Sequence, residues 1–436
     1  MTYTYRRFLG YILPSMIAFT FSGVYAIVDG WFIGNYVGEG GLAAINMAYP
    51  ITALILATGT GLGMGGAILI SISRGREDLP GQKEYLGITL ILLLIAAVVE
   101  MAVMYVLYPT LLALFGASGE IMTLGKEYTR LIILGTMFQM IGTGLVPIVR
   151  NYDAVVIAMV SMVCGFLGNV VLDWLFIAVM GYGMKGAAFA TVWGQGLAIL
   201  PSLFFMVRAK KLVGYAKPSL NIEKIREIIF VGASPFGLTM SPNIVLIIIN
   251  KHAMVYGGPG AVACYAVVAY VTYIVMMLMQ GIGDGSQPLI SQAFGNGHRK
   301  MMVDLRRKAY ATAMVLAVGF MALMIYLRRP IAIFFGMGPS GIQDVCVALP
   351  IFTVGFVFMG FLRVRTSCYY AEKKNARAYL LVYGELALTG LFAGIVLPPL
   401  VGIGGVWWAA PLSQIVVAFL ALVMTFHDGR KKADIL

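Results

Sequence analysis

Twelve runs of apolar residues, each long enough to cross a bilayer, set the terms for this chain. They fall at 8–33, 42–72, 85–108, 127–149, 154–179 and 186–207, and then at 226–250, 261–292, 309–327, 343–369, 378–400 and 403–426. About 20 residues of helix span the hydrocarbon, and backbone left unpaired there is too costly for anything but helices or a closed barrel. The runs are too long for barrel strands, so the expectation is an all-α polytopic membrane protein with twelve transmembrane helices. Charged residues make up only 11% of the chain, too few to coat a soluble protein of 436 residues. The net charge of +12 does not indicate a nucleic-acid partner, because the basic residues sit in short loops rather than on a solvent-facing domain.

The two sets of six runs echo each other about 220 residues apart. Gly61-Leu-Gly-Met-Gly-Gly-Ala-Ile-Leu-Ile-Ser71 returns as Gly281-Ile-Gly-Asp-Gly-Ser-Gln-Pro-Leu-Ile-Ser291, and Pro14 is matched by Pro235. An internal repeat in an apolar chain predicts two pseudo-symmetric six-helix lobes. We place them at residues 1–207 and 226–427, joined by a basic linker at 208–225 and followed by a tail at 428–436. Alternate connections carry the positive charge: the ends and loops from Arg6-Arg7 through the linker to Arg430-Lys431-Lys432 hold 23 of the 31 Lys and Arg. The positive-inside rule then puts both termini and the linker in the cytoplasm.

Glycines in the second and eighth runs (Gly59, Gly61, Gly63, Gly65, Gly66; Gly281, Gly283, Gly285) predict close helix–helix approach rather than a phosphate loop, since no strand precedes them and no Lys-Ser/Thr follows. Pro14, Pro235 and Pro242 each remove an intrahelical hydrogen bond, which reads either as a static kink or as a bend that changes during function. The four cysteines (Cys164, Cys264, Cys346, Cys368) lack metal or disulfide spacing and read as packed thiols. No nucleophile–base pair suggests an enzyme.

Ionisable groups inside the hydrocarbon are expensive and therefore functional candidates. Five carboxylates fall inside the runs, clear of their first and last two residues: Asp29, Glu100, Asp173, Asp284 and Glu385. Asn169 and Asp173 stand four residues apart, on one helix face, and begin the oxygen set that a hard cation needs. Asp29 and Thr191 complete it if their helices pack alongside. The same carboxylates can instead carry a proton, and a plain polar contact between helices is the bland alternative. Arg363 and Arg365 in the tenth run invite pairing with Asp284 or Glu385. Tyr25, Phe138, Tyr265, Tyr273 and Asp284 are candidates to line a cleft for a flat cationic ligand.

With these residues in hand, the chain resembles the multidrug and toxic compound extrusion (MATE) family. The resemblance runs through Val28-Asp-Gly-Trp-Phe-Ile-Gly34, Asn169-Val-Val-Leu-Asp-Trp-Leu-Phe-Ile177, Gly186-Ala-Ala-Phe-Ala-Thr191, Gln287-Pro-Leu-Ile-Ser291 and Gly295-Asn-Gly297. It implies an antiporter of a prokaryotic inner membrane, working as a monomer, that exports organic cations and drug-like compounds in exchange for Na⁺ or H⁺. It also implies a cation or proton site at Asp29, Asn169, Asp173 and Thr191, with no other cofactor. A flippase for a lipid-linked intermediate, built on a related two-lobed plan, is the alternative. Two departures stand out. The exit of the fourth run reads Arg150-Asn-Tyr-Asp-Ala154 where the family favours Arg-Asn-Asp-Gly, and the seventh run, past Glu227 at its start, offers Asn243 and Asn250 but no carboxylate.

Overall fold

The structure is a computed structural model that describes residues 4–208 and 221–433. Most of the expected linker, residues 209–220, and the last three residues of the expected tail lie outside the described residues. The described chain is helical throughout: α1 (Tyr5–Tyr36), α2 (Glu39–Gly75), α3 (Leu79–Leu114), α4 (Gly119–Leu134), α5 (Thr136–Asn151), α6 (Val155–Asp173), α7 (Gly183–Arg208), α8 (Ile222–Gly295), α9 (Arg299–Phe334), α10 (Pro339–Ala371), α11 (Asn375–Leu391), α12 (Pro398–Val401) and α13 (Ile403–Ala433). Ten helices are long and apolar enough to cross a membrane, and α4 with α5 make one further span bent by 56°. The 74-residue α8 breaks at Gly258, whose φ of 67° is outside the helical region, so it supplies two spans and the total is twelve.

Two of the spans depart from plain helices. The run at 127–149 is not one straight helix, since α4 begins at Gly119 and the chain bends at Gly135 before α5. The seventh and eighth runs are not separated by a loop. A single glycine at positive φ interrupts the helix there, because it has no side chain to clash.

Turn geometry carries the internal repeat more sharply than the residues do. Positive φ occurs at Gly38 and Gly258, Glu77 and Gly297, Gly116 and Gly336, and Asp153 and Lys373, each pair 220 residues apart. Three of these connections, at Glu77, Asp153 and Lys373, therefore hold a non-glycine residue in a conformation that costs an L-residue roughly 1–2 kcal/mol. Asp153 stands where the family pattern has glycine. Arg74 offsets the strain by bonding both the Asn151 carbonyl and the Asp153 carboxylate, with its guanidinium 5.5 Å from the Tyr152 ring centroid.

The chain forms two compact units. The N-terminal unit comprises Leu13–Met240 with Pro288–Arg299. Its centre is α2, 72% of whose apolar window is buried against 11% for α3, a difference that sets α2 in the protein interior and α3 at its lipid face. The glycines make this burial possible. A Cβ on Gly63 would meet the Gly144 carbonyl oxygen at 2.4 Å, one on Gly65 the Ile228 carbonyl oxygen at 2.3 Å, and one on Gly66 the Thr89 hydroxyl at 1.9 Å. Three neighbouring helices thus touch α2 at backbone distance. The C-terminal unit comprises Met1–Ile12, Ser241–Gln287 and Lys300–Leu436. Its core runs through Ile249, Val268, Leu349, Phe352 and Trp407.

The paired turns make an opposite-signed prediction. Glu77→Gly relieves the left-handed strain at an exposed position and is expected to raise the unfolding temperature, by about 0.5–1 kcal/mol after the entropy of the unfolded glycine is counted. Gly297→Ala, at the matching turn, is expected to cost about 1 kcal/mol. Thermal unfolding in detergent measures both, and shifts of the same sign would contradict the shared geometry.

Candidate functional site

The site is assembled by close packing of α6 on α7. Gly194 of α7 sits against Asn169 of α6, where a Cβ would lie 2.9 Å from the Asn169 Cβ and 3.0 Å from the Gly165 carbonyl oxygen. That approach brings the Thr191 backbone within reach of the Asn169 side chain. With the amide oriented to satisfy both neighbours, its nitrogen donates to Asp173 Oδ2 at 2.9 Å and its oxygen accepts from the Thr191 backbone N–H at 3.2 Å. Asn169 thereby locks α6 to α7 and aims the Asp173 carboxylate. Directly after Asp173 the helix loosens into a π-helical turn at Trp174–Val179, a distortion that recurs at functional positions in helices. The corresponding helix of the other half, α11, also ends in a π-helical turn, at Phe392–Val396, but carries no carboxylate there.

Asp29 comes from α1 and lies beside Asp173, the two side chains within hydrogen-bonding reach of each other. Asp29 and Asp173 are both buried, at 7% and 0% exposure, as are Asn169 at 2% and Thr191 at 5%. Asp29 Oδ1 and Asp173 Oδ1 have no hydrogen-bond donor. Two ionised carboxylates in contact and shielded from water repel by several kcal/mol. The arrangement calls for one positive charge between them, as a proton or as a metal ion.

Tyrosines close the cluster. Tyr25 Oη lies 3.4 Å from Thr191 Oγ1, and its ring meets Phe166 edge-on. Tyr128 of α4, buried and close to the same threonine, belongs to the cluster as well. Sequence reasoning missed Tyr128, because no motif singled it out.

The remaining candidates fall elsewhere. Phe138 is exposed and stacks on Trp193 at 6.4 Å. Tyr265 is buried in the C-terminal unit, stacked 6.1 Å from Trp407 and 5.7 Å from Phe352, so its ring serves the core. Tyr273 is half-buried on α8. Asp284 is buried in the C-terminal unit, where its Oδ1 accepts from Gln280 Nε2 at 2.8 Å and from the Tyr370 hydroxyl at 2.6 Å. The expected pairing of Arg363 or Arg365 with Asp284 or Glu385 does not occur. Arg365 donates to the Tyr369 and Thr425 hydroxyls, Arg363 reaches the Met276 sulfur, and Glu385 accepts from Gln414. Neutral donors satisfy both acids, which leaves the arginines to other partners. Glu100 lies on α3 against Thr58, outside the cluster.

Residues 14–175 and 235–396 each match the model of the MatE family, so the two halves are two copies of one family unit. The chain belongs to the MatE family. It is a transporter with the twelve-helix, two-lobed MATE fold. Among relatives, the multidrug export protein MepA of Staphylococcus haemolyticus is 23% identical over 433 residues, covering 97% of this chain and 93% of the relative. MepA of Staphylococcus aureus strain MRSA252 is 22% identical over 438 residues, with the same coverage of both chains. Among solved structures, an outward-facing multidrug resistance MATE transporter of the MOP superfamily superimposes with a TM-score of 0.85 at 23% identity, covering 96% of this chain and 94% of that one. A MATE in complex with MaL6 gives 0.86 at 23% identity, over 96% and 95%.

If the paired carboxylates need a positive charge, stability must follow it. Native protein at alkaline pH without Na⁺ is expected to melt below the same protein with Na⁺ or at lower pH. Asp173→Asn removes one of the two charges and should melt at a temperature that neither ion changes. An undiminished response in the variant would show that the ion acts elsewhere.

Proposed function

We propose that this transporter is a plasma-membrane antiporter that exports organic cations and drug-like compounds in exchange for Na⁺ or H⁺. Both termini and the basic linker between the lobes lie on the cytoplasmic side in this reading. The coupling ion occupies the N-terminal lobe, between Asp29 and Asp173. Contact between these two buried carboxylates, with an oxygen of each left without a donor, is the observation that carries the reading. Asn169 holds Asp173 in place, and Thr191, Tyr25 and Tyr128 supply hydroxyl oxygens around the pair. A carboxylate pair with neutral oxygen donors suits a hard monovalent cation and suits a proton equally well.

Exchange follows from charge balance. When the pair holds an ion, repulsion is relieved and α1 can stay packed against α6. When the ion leaves, the two carboxylates repel across the α1–α6 contact, and the packing of α1 must change. A cationic substrate whose affinity depends on the position of α1 is thereby linked to the ion, by as much as the two arrangements differ in affinity for each. For a neutral compound, one ion entering through 100 mV supplies about 2.3 kcal/mol, a roughly fiftyfold gradient; a singly charged cation leaving against one ion moves no net charge, and there the ion's concentration gradient drives the exchange. The relatives named as multidrug export proteins support the substrate class.

Efflux of a fluorescent organic cation from proteoliposomes, with a Na⁺ gradient and a pH gradient imposed separately, tests the reading. Native protein should respond to at least one gradient, and Asp29→Asn and Asp173→Asn should lose that response while still inserting as folded protein. Gradient-driven efflux that survives both substitutions would move the coupling site away from this pair.

A further inference from the structure

Arg363 is a buried cation whose side chain finds no oxygen. It sits on α10, eight residues before the helix ends at Ala371, which puts its Cα about 12 Å from that end. Its side chain is 6% exposed. The contact it makes is from Nη2 to the Met276 sulfur on α8, at 3.3 Å. Thioether sulfur is a weak acceptor with no charge to offer. No carboxylate forms an ion pair with Arg363 among the described residues.

The acids near it in the fold are held by other groups. Asp284, two turns beyond Met276 on α8, accepts from Gln280 and from Tyr370, whose hydroxyl is also bonded to Ser367 at 2.7 Å. Glu385 accepts from Gln414. Arg365, two residues along α10, shows what a structural arginine looks like in this unit. It has two hydroxyl partners, and its guanidinium lies 4.2 Å from the Tyr369 ring centroid. Arg363 has nothing comparable. A guanidinium withdrawn from water and unmatched by an anion is a standing cost, and in a membrane segment it marks a site that something charged visits.

The geometry points to Arg363 as a receptor for an anionic oxygen group, a carboxylate above all, on the transported molecule. The guanidinium offers a planar fork of N–H donors that pairs two-to-two with a carboxylate. Met276 occupies the place of that group when it is absent. An unbranched chain with three rotatable bonds turns aside at little cost, so the sulfur can yield to a better acceptor. Gln280, one turn further on the same face of α8, has a buried Oε1 without a donor, ready to accept from an N–H or O–H group that accompanies the carboxylate. Together these residues favour amphiphiles that carry a carboxylate beside their cationic ring system over purely cationic ones. This inference deepens the drug-export reading by naming a substrate class, and it rests on that reading for its physiological meaning.

Binding to purified protein tests it without any transport step. Rhodamine B carries a carboxylate, and its ethyl ester has the same cationic ring system without one. Fluorescence anisotropy should show native protein binding rhodamine B about tenfold more tightly than the ester. Arg363→Gln should erase that preference by weakening the acid form alone, and Arg363→Lys should restore part of it. Met276→Glu gives the arginine a resident carboxylate and therefore suits the fold, yet it should erase the preference just as fully. Equal affinity of native protein for acid and ester would overturn the inference, as would a preference that survives both Arg363→Gln and Met276→Glu. Neither result bears on whether a Na⁺ or pH gradient drives efflux of the ester, so failure here is distinguishable from failure of the antiport reading.

Discussion

Two like charges held against each other away from water are the constraint on which the rest of the N-terminal unit depends. Asp29 and Asp173 come from helices far apart in the chain, and their contact is stable only with a positive charge between them. Everything packed around them maintains that contact. Asn169 ties α6 to α7 and orients Asp173, Gly194 lets the two helices approach, and the hydroxyls of Tyr25 and Tyr128 converge on Thr191. A site built this way does not need a large cavity or a soft ligand. It needs a rigid wall on one side and a helix that can move on the other.

Elsewhere in the N-terminal unit, α2 and its neighbours are packed without give. Backbone-to-backbone contacts at Gly63 and Gly65, and the tight seat of Gly66 on Thr89, leave no side chain to slide, so this part of the unit behaves as a block. The contact between Gly75 and Gly295 repeats the device at the end of the helix, where a Cβ on either residue would meet a carbonyl oxygen of the other helix at 2.2 Å. The C-terminal unit is organised differently. Its centre is aromatic, with Tyr265 stacked on Trp407 and Phe352 tilted against both, and the acids Asp284 and Glu385 accept from neutral donors. Repetition of the turn geometry at a 220-residue interval shows that the two halves share a backbone plan. The chemistry was not kept symmetric, since the Asp29–Asp173 pair has no counterpart at the π-helical turn of α11.

Much of this is legible in the sequence because membranes leave a chain few choices. Apolar length announces the helices, and the i,i+4 spacing of Asn169 and Asp173 is enough by itself to put both on one helix face. Features that depend on three-dimensional packing are not legible in the same way. The bend at Gly135 and the break at Gly258 rest on single residues inside long apolar runs, where hydrophobic pattern carries no signal. Tyr128 has the sequence surroundings of any membrane tyrosine, with no motif to single it out. The partners expected for Arg363 and Arg365 are wrong because charge pairing is the obvious economy. Asp284 and Glu385 find amide and hydroxyl donors instead, an arrangement that spacing along a helix does not reveal.

The central claim is that the Asp29–Asp173 pair carries one exchangeable positive charge. Infrared difference spectroscopy reads it most directly, since a protonated carboxyl has a carbonyl band that an ionised one lacks. In Na⁺-free protein the spectrum should contain one such band that disappears as pH rises or as Na⁺ is added, and that is missing or displaced in Asp29→Asn and in Asp173→Asn. A spectrum with no carboxyl band that responds to either ion, or a responsive band that both substitutions leave untouched, would contradict the claim and place the coupling charge elsewhere in the protein.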